Sequence, residues 1–165
     1  MKYRYVESPI GQLLIAGDDD GLCYIGFPSG KGQLSPGADW IEDSEVCEDV
    51  RQQLEEYFAG ERTTFDVRLK PHGTEFQLQV LAALQEIPFG ETRSYRDIAE
   101  RIGRPRAVRA VGAANGRNPI PIIIPCHRVV GADGSLTGFG GGLDTKAFLL
   151  RLEGIASQRN LFSAE

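Results

Sequence analysis

"TEFQLQVLAALQEIPFGETRSYRDIAERIGRPRAVRAVGAANG", residues 74–116, is the stretch on which the fold turns. "TEFQ" (74–77) has the form of a capping box, in which a Thr and a Gln side chain satisfy orphan backbone donors at a helix start. The helix it opens carries Phe76, Val80, Leu81 and Leu84 at helical spacing, and Pro88 and Gly90 end it. "SYRD" (94–97) is a second box, opening the short helix "YRDIAERIG" (95–103). After the break "GRP", Pro105 suits the first turn of a third helix, "PRAVRAVGAANG" (105–116). Helix, short turn, helix is the outline of a helix-turn-helix, although many ordinary helical pairs share it.

That third helix is unusual in its bulk. Ala107, Ala110, Gly112, Ala113 and Ala114 leave its surface bare, and Arg109 is the long charged side chain among them. Such a helix either packs tightly on the protein's own core or lets another surface approach its backbone.

Upstream, the pattern changes to strands. "YRYVES", "GQLLIAG" and "GLCYIGF" alternate with period two, and "DDDG" (18–21) joins the last two as a hairpin. "KGQLSPGADW" reads as loop. From Ser44 a helix is expected, with Val46, Val50, Leu54, Tyr57 and Phe58 on one stripe and Gly60 just past its end. "TTFDVRL" (63–69) reads as another short strand, and "KPHG" (70–73) as a linker. The expected architecture is α/β in the α+β sense. A small sheet-plus-helix domain over 1–73 precedes a mainly helical domain over 74–157, and residues 158–165 form a polar tail.

Downstream lies "IPIIIPCHRVVG" (120–131), where Pro121 and Pro125, with Pro119 just before, break up an isoleucine run ahead of Cys126, His127 and Arg128. A thiol of ordinary pKa ~8.5 needs a base or cation nearby before it reacts. In an extended segment adjacent side chains diverge, so His127 reaches the sulfur only through a turn or a bridging water. "GSLTGFGGGL" (134–143) could fold over the site and bring backbone N–H groups to a ligand. On residue types alone, a thiol hydrolase with a Cys–His pair fits equally well.

Composition narrows the classes. The 165 residues carry a net charge of −5, unevenly spread. Residues 1–73 hold 7 basic and 14 acidic side chains, whereas 93–128 hold eight arginines against Asp97 and Glu100. The second segment either meets a polyanion or forms a solvated basic face. No apolar run approaches the ~18 residues of a membrane helix, and "MKYRYVESPIG" lacks the apolar stretch of a signal peptide. Three cysteines without CxxC spacing predict reduced thiols and a cytoplasmic setting. Cys23 and Cys47 read as structural. Zinc binding through them and His72 or His127 has no recognised spacing, and no metal or cofactor is expected.

Taken together, "RAVRAVGAANG", "NPIPIIIPCHRVVG" and "GSLTGFGGGLDTKAFLLRLEG" closely resemble the O6-alkylguanine-DNA alkyltransferases (methylated-DNA–protein-cysteine methyltransferases). The resemblance is near-continuous over about 73–154 and looser through "SPIGQLLIAGDDDGLCYIGF" and "LEEYFAGERTTFDVRL". It implies an RNase H-like N-terminal domain and single-turnover transfer of an alkyl group from O6-alkylguanine in double-stranded DNA to Cys126. O4-alkylthymine is a second candidate substrate. His127 would draw the thiol proton through a water, and Glu153 would orient the imidazole. Tyr95 would assist nucleotide rotation and reach the guanine ring. Arg109 would fill the gap in the stack, with Ala110 and Arg128 also at the DNA and Asn118 tying the recognition helix to the active loop. Val129, Phe139 and Gly140 would line the base pocket, read by carbonyls near Cys126 and Val129 and the N–H of Gly140. Many relatives carry Tyr where this chain has Phe139, which packs but cannot donate. The resemblance further implies a monomer. The alternative is a non-enzymatic damage sensor of the alkyltransferase-like type, although those relatives lack the cysteine.

Overall fold

The computed structural model describes residues 1–155. The expected tail (158–165) and the last two residues of the expected second domain lie outside the described residues.

Strands β1 (Lys2–Val6), β2 (Leu13–Asp18), β3 (Gly21–Gly26) and the short β4 (Ile41–Glu42) form one sheet in the order β3-β2-β1-β4. β1, β2 and β3 are antiparallel neighbours, and β4 runs parallel to β1. β2 lies between two neighbours, and Leu13 to Gly17 are buried without a break. Leu13 and Ile15 join the main core together with Val50 and Leu54 of helix α1 (Glu48–Phe58). On Tyr24 of β3, Trp40 stacks at 5.6 Å between ring centres.

Helix α1 begins four residues later than the stripe from Ser44 suggests. Residues 44–47 are turns, and Cys47, with φ 54°, takes the N-cap position without a side-chain cap. The expected strand at 63–69 is absent as well. Only Leu69 bridges, to Leu22, with Leu22 N donating to Arg68 O and Lys70 N to Leu22 O. Farther up, both backbone groups of Asp66 are taken by the side-chain amide of Gln53 on α1, which replaces a ladder partner.

Helices α2 (Glu75–Leu84), α3 (Tyr95–Arg101) and α4 (Val108–Gly116) follow. Both expected capping boxes are present in full: Thr74 with Gln77, and Ser94 with Asp97. α4 is shorter than its sequence pattern. Ala107 N bonds Arg104 O, so Pro105 sits in a separate turn and Ala107 becomes the N-cap. The segment after α4 meets the sheet edge, where Ile25 N donates to Pro119 O at 2.9 Å. Three further elements have no counterpart in the sequence reading. β5 (Arg93–Ser94) pairs in parallel with β6 (Val129–Val130), and α5 (Leu143–Leu152) closes the core with Leu149 and Leu150 fully buried. Among the described residues no helix is long and apolar enough to cross a membrane.

The α2 box allows a direct check of local sequence control. Thr74→Ala removes the acceptor for Gln77 N, and urea unfolding should show a loss of about 1 kcal/mol. No measurable loss would mean that packing alone holds this terminus.

Candidate active site

The isoleucine run is not a strand. Pro119, Pro121 and Pro125 fix φ at three positions, and the chain descends through tight turns: Ile124 N to Ile120 O, Cys126 N to Ile124 O, Arg128 N to Pro125 O. Ile122 has φ 75°, a left-handed conformation that strains a β-branched residue by about 1–3 kcal/mol. Full burial of Ile120, Ile122 and Ile124 holds it there. The descent delivers Cys126–Arg128 as one turn of 3₁₀ helix, which removes the divergence expected of an extended segment. The β5–β6 pairing fixes the far end of that turn beside the start of α3.

Behind the turn lies Glu153, just past α5 and 5% exposed. Its carboxylate receives His127 Nε2 at 2.7 Å, Tyr57 Oη at 2.6 Å, Arg128 Nε at 2.8 Å and Nη2 at 3.1 Å, and Gly90 N at 3.2 Å. Burial pushes the carboxyl group up, and the donors from His127, Arg128 and Tyr57 more than offset it, holding it at about 2. Burial in turn pushes His127 below its usual value, against the pull of Glu153, so the imidazole is neutral near pH 7. An ionised carboxylate only accepts, so the imidazole proton sits on Nε2 and Nδ1 is the basic atom. Nδ1 is buried and bonds no other group of the described residues.

Cys126 is 4% exposed, and burial pushes its thiol up to about 11, opposed by the Asn118 amide and by Lys146. The resting sulfur is therefore a thiol, and a base must act on it during reaction. Asn118 donates to Ile124 O at 2.8 Å and accepts from Ile120 N, tying the end of α4 to the approach to Cys126. Asn115 on α4 reaches Cys126 O at 3.4 Å.

The 134–143 segment does come to the site. Tyr95 Oη shares a hydrogen bond with Thr137 Oγ1, and burial, reinforced by nearby Cys126, raises its phenol. Lys146 is fully buried and donates to Val129 O at 2.6 Å and Thr137 O at 3.2 Å, which occupies one lone pair of the Val129 carbonyl. Burial lowers its amine to about 8. Phe139 packs on Phe27 at 5.4 Å between ring centres, and Gly140 O accepts from Gly32 N at 2.7 Å. A Cβ on Gly32 would lie 2.7 Å from the Phe27 ring, so only glycine permits this approach of the two loops.

On α4, Arg109 and Ala110 are exposed, as are Ala113 and Gly116, while Val111 and Ala114 face inward. Arg96, Arg101, Arg104, Arg106 and Arg117 are exposed as well. Arg128 is different, and its expected place at the DNA is corrected. It is 6% exposed, its guanidinium bonds Glu153 and Ile87 O, and it stacks over Phe89 at 5.9 Å. A buried, fully engaged guanidinium cannot serve as a surface contact.

Family models describe both parts of this chain. The DNA binding domain of 6-O-methylguanine DNA methyltransferase matches residues 75–155, and the ribonuclease-like domain of the same proteins matches residues 1–71. The chain belongs to the 6-O-methylguanine DNA methyltransferase family. A methylated-DNA–protein-cysteine methyltransferase of Methanosarcina acetivorans is 57% identical over 93% of this chain and 99% of its own length. The protein of that name from Mycolicibacterium paratuberculosis is 53% identical, covering 93% and 92%. The crystal structure of Mycobacterium tuberculosis OGT in complex with DNA superposes with a TM-score of 0.88 at 50% identity, covering 93% of this chain and 92% of that one.

Within this family member, the sequence reading missed Tyr57, Asn115, Thr137 and Lys146. Lys146 carried one signal, a cation on the stripe that Ala147 and Leu150 bury. Tyr57 carried a weaker one, a hydroxyl in an apolar stripe, which once buried must find a partner.

The network also sets the acid stability of the fold. As pH falls below ~6.5 the unfolded chain takes up a proton that buried His127 refuses, so stability drops. It drops again from pH ~4.3 towards about 2, where Glu153 stays ionised only in the fold. Glu153→Gln leaves Arg128 buried without its counter-charge. Urea unfolding should show a loss of about 3–5 kcal/mol at pH 7 and a flatter acid slope below pH ~4.3. A variant as stable as the native chain would show that the ion cluster contributes nothing net.

Proposed function

We propose that the chain repairs DNA by taking an alkyl group from O6-alkylguanine onto Cys126 in one irreversible displacement. The observation that carries this reading is the arrangement on one turn: a buried thiol followed by a neutral histidine whose Nε2 is bound to an ionised carboxylate. Nδ1, through a water, draws the thiol proton. The sulfur attacks the alkyl carbon, the S–C bond forms and the C–O6 bond breaks. Guanine leaves in its keto form, taking a proton from Tyr95 or water, with a backbone N–H able only to hydrogen-bond to the departing oxygen, since Phe139 has no proton to give. Glu153 stabilises the imidazolium meanwhile. The product is an S-alkylcysteine, so each molecule reacts once.

An O6 substituent is stacked inside a duplex, so the nucleotide must rotate out. α3 and α4 act as a helix-turn-helix in the minor groove. The exposed Ala110, Ala113 and Gly116 allow close approach, and Arg109 enters the stack. Phosphate contacts by the surrounding exposed arginines supply sequence-independent affinity. Val129, Phe139 and Gly140 line the base pocket. We read the chain as a monomer of two domains dividing at residues 73 and 74, a division supported by the two family matches, and as cytoplasmic, which suits three free cysteines. A damage sensor would need none of the thiol relay.

Intact-protein mass after mixing with a duplex holding one O6-methylguanine should rise by one methylene, once per chain and at Cys126. Cys126→Ala should abolish the gain and retain binding to that duplex. Transfer by this variant, or no gain in the native chain, would sink the proposal.

A further inference from the structure

We infer that Tyr57, on α1, is a positioning residue for the transfer reaction, its hydroxyl setting how much of the Glu153 carboxylate's charge reaches the His127 imidazole. The inference rests on the alkyl-transfer reading above. Tyr57 lies 96 positions from Glu153 in sequence and is 1% exposed, yet its hydroxyl donates at 2.6 Å to Oε2, the same oxygen that accepts from His127 Nε2 at 2.7 Å. Its ring is held by Phe58, Phe65 and Phe89, with centres 5.4, 5.4 and 6.3 Å away. A phenylalanine would satisfy that packing equally well. The hydroxyl is needed only for the carboxylate, and it stays a donor throughout, because burial and the charge of Glu153 keep the phenol protonated.

Two donors on one oxygen compete for its charge. With the Tyr57 hydroxyl in place, Oε2 attracts the imidazole proton less strongly, so His127 remains a neutral base to lower pH. Without it, Glu153 stabilises the imidazolium better, and the base is lost by protonation at higher pH. The other groups facing this pair are Arg128 on the same turn, Lys146 on α5 and the Cys126 thiol, and removing one hydroxyl changes none of them. The N-terminal part of the chain thus adjusts the proton relay of the part that carries the sulfur.

The test is the single-turnover rate of methyl transfer from an O6-methylguanine duplex, measured against pH for the native chain, Tyr57→Phe and Phe65→Leu. For Tyr57→Phe the acid limb should move up by about half a pH unit or more, with transfer roughly 3- to 10-fold slower at pH values below both limbs, converging with the native rate in base. Its affinity for the duplex should be unchanged. Phe65→Leu loosens the same ring cluster without touching the carboxylate, and should lower thermal stability while leaving the limb in place. Should Tyr57→Phe unfold, 3,5-difluorotyrosine inserted at position 57 supplies a stronger donor and should move the limb down. A limb that coincides with the native one in either hydroxyl variant, or that moves equally in Phe65→Leu, overturns the inference. A native chain that transfers nothing overturns the alkyl-transfer reading instead.

Discussion

A single buried carboxylate organises this molecule. Taking Glu153 out of water costs several kcal/mol before any partner is counted, so the ion persists only where donors surround it. They come from α1 (Tyr57), from the loop after α2 (Gly90) and from the 3₁₀ turn (His127 and Arg128). Each approaches from a different segment, so the carboxylate is satisfied only when the sheet-bearing and helical parts are assembled. The same interaction that fixes the imidazole therefore also ties the ribonuclease-like part to the part that holds the sulfur. Arg128 shows how far this extends: it bridges to Ile87 O and stacks on Phe89, whose ring in turn meets Tyr57.

The electrostatics of the site favour storage over continuous reactivity. A thiol held at about 11 is nearly all protonated at neutral pH, and a protonated sulfur resists adventitious oxidation and alkylation. For a residue proposed to be consumed in a single transfer, this inertness is an advantage. In the proposed reaction, the neutral His127 and the pull of Lys146 and the Asn118 amide on the developing thiolate supply the reactivity. Lys146 does a second task, because its bonds to Val129 O and Thr137 O hold the active turn and the glycine-rich loop at a fixed separation.

The parts legible in the sequence were those governed by local rules. Both capping boxes, the hairpin at 18–21 and Gly60 just past α1 depend on neighbours within a few residues, and all are found in the fold. Where a distant side chain intervened, local pattern misled. The alternation at 63–69 suits a strand, but Gln53, thirteen residues from Asp66, claims its backbone. Pro105 suits a helix start, but a preceding turn ending at Ala107 displaces it. At the site, chemistry-bearing residues next to the sulfur were readable from type and order. Tyr57 and Lys146 were not, because a polar group on a buried stripe signals that it has a partner without saying which one or where. Arg128 failed in the opposite sense: counted as one more surface cation, it is the buried counter-ion of Glu153.

The charge pattern raises an apparent conflict, since the chain is −5 overall and its proposed ligand is a polyanion. Two features resolve it. Much of the acid in the first half is already paired at close range: Glu48 with Arg4 and Arg51, Glu55 with Arg51, Glu56 with Arg62, and Asp18 and Asp20 with Lys70. Fields from exposed charges also fade over a Debye length of about 8–10 Å at physiological salt. A phosphate beside α4 therefore senses mainly the charges within that distance, among them the exposed arginines on and around that helix. Net charge describes the long-range approach of the two molecules, whereas the local arginine density governs contact. An acidic chain can accordingly meet DNA through the arginine-rich segment around α4 despite its negative net charge.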